Sequence, residues 1–167
     1  MRERIWRRRA DPMVEQVRRM RDALVVPEPW DLTVFLEQIP GMVGKRIRLV
    51  TLPDRSGLPC GLVVEQIEDI VIAYDAESSG YHADHIVLHE IGHLLLDHGP
   101  DAGARTQRGT LELLFPDIDP DTVLRVLQRS DYDDAAERQA ELFASLVMSE
   151  SRTAPAGSPF RRTMFPD

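Results

Sequence analysis

Cysteine is almost absent from this sequence, which has a single one at position 60. A lone cysteine excludes an internal disulfide framework and is typical of a reducing compartment, so we expect a cytoplasmic protein. Long apolar runs are also missing, and no segment approaches the length that spans a bilayer. The N-terminus is basic, but no apolar segment follows it, so we expect no signal peptide and no membrane partner. We interpret Cys60 as a small buried side chain rather than a zinc ligand.

Positive charge is scarce outside the N-terminus. The 167-residue chain has a formal net charge of −8, yet residues 1–21 hold eight arginines against three acidic side chains. This segment therefore carries about +5 and the remaining residues about −13. The acidic remainder argues against direct nucleic-acid binding by the main domain. We interpret the basic segment as a solvated arm, with contact to nucleic acid or an acidic partner as the alternative.

The length suits one domain with a substantial core, and the sequence contains no internal repeat. Composition divides the chain into a basic N-terminal helical segment (1–24), a main domain (25–150) and a tail rich in proline, serine and arginine (151–167). Asp11 followed by Pro12 predicts a helix to about residue 24. Asp31 predicts a second short helix that ends near Pro40-Gly41.

Three strands and three further helices are predicted for the rest of the domain. Alternating or continuous apolar patterns predict strands at 46–51, 61–65 and 70–74, the last two as a hairpin around Glu68-Asp69. A helix is predicted over 80–98, with Ser79 as its N-cap and Gly99-Pro100 as its stop signal. Asp119 followed by Pro120 predicts a helix to about residue 129. A last helix is predicted from Asp131 or Asp133 to about residue 148.

The helix predicted over 80–98 contains the sequence His89-Glu90-Ile91-Gly92-His93. Two histidines four positions apart lie one above the other on a helix face, so both imidazoles can bind one Zn²⁺. Glu90 is turned toward the same open position and can take a proton from water bound to the metal. The alternative is a buried helix whose histidines only form hydrogen bonds.

A catalytic zinc site needs a third protein ligand, and the neighbouring residues supply poor candidates. A metzincin would have a third histidine six positions after His93, where this chain has Gly99. On a continuing helix His98 lies about 500° around the axis from His93 and should point away from the metal. Asp97 is on the correct face but too far along, so we predict a capping or supporting role. His85 shares the face of His89, and we interpret it either as a surface histidine or as a residue on the rim or substrate side of the site.

Glu137 is the stronger candidate for the third ligand. It begins a helical stripe whose small residues permit close packing against Gly92 of the histidine helix; the stripe comprises Glu137, Ala140, Glu141 and Ala144. Close packing is required to bring a short carboxylate to a cation bound on another helix. Glu141, one turn later, can accept a hydrogen bond from the free ring nitrogen of a ligating histidine. The alternative is a solvated helix face with no metal role.

The His89–His93 motif, the downstream Glu137-x-x-Ala140-x-x-Phe143-Ala144 block and a preceding β-hairpin resemble the ImmA/IrrE family of metallopeptidases over residues 25–150. The turn at 58–62 and the segment 115–120 are also similar to short members of that family. The resemblance implies a zincin-like α+β fold, in which a small three-stranded sheet packs with an active-site helix and a ligand-bearing helix. It implies Zn²⁺ held by His89, His93 and Glu137, with Glu90 as catalytic base.

The same resemblance implies a hydrolase that cleaves or inactivates a helix-turn-helix repressor of the XRE type, which relieves repression of mobile-element or stress genes. Some members are grouped with toxin–antitoxin modules. No helix-turn-helix motif is evident in this sequence, so a partner must supply the DNA recognition. The alternatives are a non-catalytic regulator that sequesters a repressor without cutting it, and a structural zinc module in which His85 or His98 completes the ligand set.

The expected chemistry is hydrolysis of a peptide bond. Zinc lowers the pKa of bound water and polarises the scissile carbonyl, and Glu90 transfers a proton from that water to the leaving amine. Tyr132 and His85 are candidates for the donor that stabilises the oxyanion, and Tyr132 is alternatively a packing residue before the last helix. If the strand 70–74 is an edge strand, we expect it to bind an extended peptide by strand addition.

Overall fold

The computed structural model describes residues 11–52, 61–78, 80–98, 111–112, 114–128 and 132–151. Several sequence-based predictions lie outside these residues: those for the basic arm before residue 11, Cys60, Ser79, Gly99-Pro100, Asp131 and most of the tail. Among the described helices, none is both long enough and apolar enough to cross a lipid bilayer.

Three helices precede the sheet. Helix α1 spans Pro12–Asp22, α2 spans Leu32–Leu36 and α3 spans Ile39–Val43. The carboxylates of Asp11 and Asp31 cap α1 and α2 as predicted, since each accepts hydrogen bonds from backbone N–H groups of the first turn. The single short helix predicted after Asp31 is two helices. Pro40 has no N–H to donate to the preceding turn, so it ends one helix and suits the first turn of the next.

The sheet has four strands in the order β1-β3-β2-β4. Strand β1 spans Arg46–Leu52, β2 spans Gly61–Gln66, β3 spans Asp69–Asp75 and β4 spans Val123–Gln128. Strands β2 and β3 form the predicted antiparallel hairpin. Strand β1 pairs with β3 in parallel, and β4 pairs with β2 antiparallel. The fold is therefore α+β with a mixed sheet.

The prediction of a three-stranded sheet and of a helix from Asp119 to about residue 129 was wrong. Asp119 does cap a turn that contains Pro120, but this is a 3-10 turn spanning Pro120–Thr122, and β4 follows at once. The apolar pairs at 123–124 and 126–127 satisfy a helical pattern, yet pairing with β2 makes the segment a strand. Arg125 lies opposite Glu65 in the register and its guanidinium forms an ion pair with that carboxylate.

Two long helices cover one face of the sheet. Helix α4 spans Gly80–Leu95 and helix α5 spans Asp134–Ser151, capped by the carboxylate of Asp133. They pack on each other, and α1 lies against α5. The core between these helices and the sheet includes buried side chains from every layer, among them Val17, Val63, Ile72, Leu88, Ile91, Leu127, Phe143 and Val147. The opposite face of the sheet is covered by residues Leu111, Phe115 and Ile118.

The close approach of α4 and α5 that the small residues predict is confirmed. A Cβ atom placed on Gly92 would lie 3.0 Å from the Cα of Ala140 and 3.3 Å from Cδ1 of Phe143. Because the nearest atom belongs to backbone, it cannot turn aside as a flexible side chain would. The spacing between the two helices therefore depends on the absence of a side chain at Gly92.

We expect Gly92→Val to lower the free energy of unfolding by about 1–3 kcal/mol, through overpacking between α4 and α5. Gly41→Val is the matched control, because Gly41 is also helical but a Cβ there would have no atom within 4 Å. Urea denaturation followed by circular dichroism measures both variants. If the two substitutions have equal effects, the contact at Gly92 does not set the helix spacing.

Candidate metal centre

Two histidines on successive turns of α4 direct their imidazoles to one point. Nε2 of His89 lies 3.0 Å from Nε2 of His93. His93 is fully buried, whereas His89 keeps about a fifth of its side chain exposed to the cavity beside it. Helical geometry produces this pair directly, since residues four apart share a face. Two imidazole nitrogens that face one point can supply two of the ligands of a metal site.

Glu137, in the first turn of α5, supplies the third donor. Its Oε1 lies 3.3 Å from Nε2 of His93, and its Oε2 lies 3.6 Å from Nε2 of His89. Tetrahedral zinc with ligand bonds of about 2.0–2.1 Å separates its ligand atoms by about 3.4 Å. The two distances from Glu137 are measured to different oxygens of its carboxylate, and one ligand atom from each of the three residues lies within 4.8 Å of the others. This spacing is close enough for one small ion to be shared by the three side chains. Among the described residues, these three form the group of side chains able to hold a cation.

Glu90 lines the same cavity as His89 and Glu137. Its side chain is almost completely buried, and Oε2 has no hydrogen-bond partner within the described part of the chain. Burial, and secondarily the negative charge of Glu137, raise the pKa of Glu90 to about 8. A buried carboxyl with an unused oxygen, on a residue that lines a cavity, is suited to exchange a proton with a molecule bound there.

Gly61, at the start of β2, sets how closely the sheet approaches Glu90. A Cβ atom on Gly61 would lie only 2.3 Å from Oε1 of Glu90. Any larger residue would therefore force the carboxylate to move. This role of Gly61 could not be predicted from the sequence, because a glycine at a strand boundary does not indicate which side chain will occupy the space beside it.

His93 is surrounded on several sides. Burial, together with the neighbouring rings of His89 and His98, lowers the pKa of His93 to about 3, so its imidazole is neutral. Metal binding requires this neutral form. The ring of Tyr132 stacks on His93, with centroids 3.5 Å apart and planes 9° from parallel. Tyr132 also lines the cavity, so the structure brings it to the site as a stacking partner of a ligand candidate.

The continuing helix assumed in the prediction for His98 is not present, because α4 ends at Leu95 and Asp97 adopts the left-handed conformation with φ of 52°. The backbone N–H of His98 then donates to the carbonyl of His93, and that of Asp97 to Leu94. This closure folds His98 back, so its Nδ1 lies 3.0 Å from Nδ1 of His93. His98 nevertheless contacts His93 on the ring edge that faces away from the donor atoms.

The remaining predicted site residues lie around this centre at greater distances. Glu141 Oε2 is 3.7 Å from Nδ1 of His89, which is an ion-pair distance and too long for a hydrogen bond. Glu141 Oε1 is 3.4 Å from Nε2 of His85, and both residues line the cavity. The carboxylate of Asp97 is exposed and lies 3.4 Å from a guanidinium nitrogen of Arg125. The structure therefore places Asp97 at the helix end rather than beside the donor atoms.

The cavity above the three donor atoms has a volume of about 980 Å³. Its walls are largely apolar and come from three helices, with Met13 and Val14 of α1, Ile86 of α4 and Leu142 of α5. Its lining also contains polar side chains: His89, Glu90 and Glu137, together with Asp11, His85, Tyr132, Arg138, Glu141 and Ser145. A large cleft that combines apolar walls with convergent titratable groups is the usual form of a substrate site.

No protein-family model, no curated protein and no solved structure matches this chain. What the site can do must therefore be argued from its donor atoms, its electrostatics and the cavity above it.

Proposed function

We propose that this protein is a zinc-dependent endopeptidase whose cation is held by His89, His93 and Glu137. The observation that carries the proposal is the cluster of donor groups next to the buried carboxyl of Glu90. The two Nε2 atoms lie 3.0 Å apart, and one carboxylate oxygen of Glu137 lies 3.3 Å from His93 while the other lies 3.6 Å from His89. Two histidines and one glutamate are the ligand set of thermolysin-type zinc enzymes, which leave a fourth position for water. Calcium and magnesium prefer oxygen ligands and are disfavoured by the two imidazoles.

Zinc in this position would lower the pKa of water and polarise a carbonyl group. Glu90 would then accept the water proton and pass it to the leaving amine. Its pKa of about 8 without a cation has burial as its main cause and the charge of Glu137 as the second. A cation bound by Glu137 offsets that charge, so occupation of the site favours the ionised form of Glu90 that acts as a base.

The substrate is proposed to bind in the apolar cavity as an extended peptide. Strand β3 lies inside the sheet, between β1 and β2, so the condition for strand addition at β3, that it be an edge strand, is not met. Among the described strands the edges are β1 and β4. Gln128 at the end of β4 pairs with Leu62, next to the cavity-lining Gly61, so the end of β4 lies closer to the cavity than the end of β1 does. The outer side of β4, which pairs with no other described strand, is the side that we propose for strand addition.

The substrate class that we propose is an XRE-type repressor in the cytoplasm, in keeping with the resemblance of the two motifs to ImmA/IrrE peptidases. Cleavage would relieve repression of mobile-element or stress genes. The direct test is to incubate the purified, zinc-loaded protein with the repressor encoded beside its gene and to measure the repressor's mass. Fragments support the peptidase, whereas an intact mass with stable complex formation supports a regulator, or a toxin–antitoxin component, that sequesters the repressor without cutting it.

The metal ligands are tested independently of any substrate. We expect purified wild-type protein to hold about one zinc ion and the double variant His89→Ala, His93→Ala to hold none, because removing two of three ligands leaves no site. Elemental analysis by inductively coupled plasma mass spectrometry gives both values. His82→Ala is the control, since His82 is exposed on the same helix. Full zinc occupancy in the double variant would locate the metal elsewhere.

The spectrum of the Co²⁺-substituted protein separates a catalytic site from a structural one. Three protein ligands with water give a spectrum that changes when an anion displaces the water, whereas a closed four-ligand site does not respond. His98 directs its Nδ1 to Nδ1 of His93, on the ring edge opposite the shared donor point. His85 lies beside Glu141. Neither arrangement supports a fourth protein ligand, so we expect the spectrum to respond.

A further inference from the structure

We propose that His98 is a positioning residue that holds His93 in the tautomer required for metal binding, with Gln139 as its orienting partner. This inference rests on the proposed metal site. It concerns a chain of hydrogen bonds that leaves the site from the far edge of the His93 ring. Nδ1 of His93 lies 3.0 Å from Nδ1 of His98, and Nε2 of His98 lies 3.0 Å from Oε1 of Gln139.

The direction of this chain follows from its last member. Oε1 of Gln139 is an acceptor only, so Nε2 of His98 must carry a proton and donate it. Nδ1 of a neutral His98 is then an acceptor, and it requires a donor at Nδ1 of His93. With its proton on Nδ1, His93 presents the lone pair of Nε2 toward His89 and Glu137. Each ring nitrogen of His93 and His98 is thus either a donor or an acceptor in this series of hydrogen bonds. The assignment leaves Nε2 of His93 as the acceptor that can bind a metal ion.

The orientation of the Gln139 amide has its own support. Its Nε2 donates to Oε1 of Gln16 on α1, at 3.3 Å, while its Oε1 faces His98. The opposite orientation would turn the amide N–H₂ toward His98 and reverse every donor in the chain. His93 would then carry its proton on Nε2, the atom that has to bind the cation. Gln139 therefore determines whether His93 is competent as a ligand.

The backbone keeps His98 in place for this contact. The closing turn of α4 ties the N–H of His98 to the carbonyl of His93 at 2.9 Å, so the two residues are joined through both backbone and side chain. Tyr132 stacks on the face of the His93 ring. Stacking fixes the plane of this ring and the bond to His98 fixes its rotation within that plane. The nitrogen of His93 that carries the proton and the orientation of its ring are thus both determined before a cation binds.

Two substitutions at His98 separate the hydrogen bond from the space that the ring fills. His98→Asn retains an acceptor oxygen near the position of Nδ1, whereas His98→Leu retains bulk and loses the acceptor. We expect His98→Leu to weaken zinc binding about 10- to 100-fold and His98→Asn to weaken it by less than about threefold. Competition with a chromophoric zinc chelator measures both dissociation constants. Equal affinities of wild type and His98→Leu would overturn the proposal.

Histidine tautomers are read directly in metal-free, ¹⁵N-labelled protein from two-bond ¹H–¹⁵N correlations. We expect wild-type His93 to show a protonated Nδ1 and an unprotonated Nε2, and His98→Leu to lose that preference. A purely structural role for His98 would leave the tautomer of His93 unchanged, and that result would reject the inference. Failure of the wild type to bind zinc would instead reject the proposed function, while the tautomer measurement would still decide this inference.

Gln139 provides a second test that leaves both rings intact. Gln139→Glu keeps an acceptor for His98 and should retain the affinity for zinc and the His93 tautomer, whereas Gln139→Leu removes the acceptor and should lower the affinity about tenfold. Glu15→Ala is the control, because Glu15 is exposed on the same helix as Gln16 and is not a member of the proposed series of hydrogen bonds. Identical affinities for the glutamate and leucine variants would show that the orienting contact is not used.

Discussion

Glu90→Gln is expected to lower the rate of peptide cleavage by about 10²- to 10⁴-fold while the protein keeps its zinc. Glutamine has nearly the shape of glutamate, so the space beside Gly61 stays filled, but its amide cannot accept and return a proton. Glu90 is not one of the three donors, and its loss removes no ligand. The measurement is the turnover of the cleaved repressor, or of a quenched-fluorescent peptide library, at equal zinc content.

Glu77→Gln is a suitable control, since it makes the same change in charge at an exposed position outside the cavity. It should leave the cleavage rate unchanged. Cleavage by Glu90→Gln at the wild-type rate would remove Glu90 from the proton-transfer role. Loss of both zinc and activity would instead indicate that Glu90 supports metal binding. In that case the cleavage rate would not test whether Glu90 acts as the general base.

The same substitution should change how the stability of the metal-free protein depends on pH. The pKa of Glu90 is raised from 4.5 to about 8 in the folded state, so between these values the folded protein binds more protons than the unfolded chain. The free energy of unfolding therefore falls as pH rises from about 4.5 to 8. At about 1.4 kcal/mol for each unit between the two pKa values, the loss is on the order of 5 kcal/mol.

We expect Glu90→Gln to lack this loss, so its stability relative to wild type should rise steadily from pH 5 to pH 8. Urea denaturation in the presence of a chelator gives the free energy of unfolding of both proteins at each pH. The contribution of His93 to the pH dependence of the free energy of unfolding has the opposite sign. Its pKa is lowered from 6.5 to about 3, so stability falls as the pH drops below 6.5. The difference between the two proteins cancels that contribution. Parallel curves would show that Glu90 is not buried as a neutral acid.

The sequence was informative where function depends on helical spacing. Positions 89, 90 and 93 are related by local geometry, and the stripe from Glu137 to Ala144 needed only the same periodicity and a small partner at Gly92. The spacing of positions 89, 90 and 93 and the stripe from Glu137 to Ala144 are each properties of a single helix. They can therefore be predicted without knowledge of the tertiary structure. The meeting of Glu137 with the two imidazoles followed once those helices packed closely, as Gly92 and Ala140 allow.

The features that were not predicted have a different origin. Strand β4 was read as a helix because Val123 to Leu127 fit either period, and the decision is made by β2, which is distant in sequence. The inner position of β3 depends on a parallel pairing with β1 that no local pattern encodes. The contact of His98 with His93 was not predicted because Asp97, a residue other than glycine, ends α4 in the left-handed conformation. Each of these depends on tertiary context or on an uncommon backbone state.

The donors of the site come from two helices that are far apart in the chain, with His93 near the end of α4 and Glu137 at the start of α5. In the proposed metal-bound form, an ion shared by them would crosslink the two helices across the segment that joins them. Protein stability would then increase with the concentration of free metal. Metal starvation would reduce the amount of folded protein as well as the fraction that is loaded.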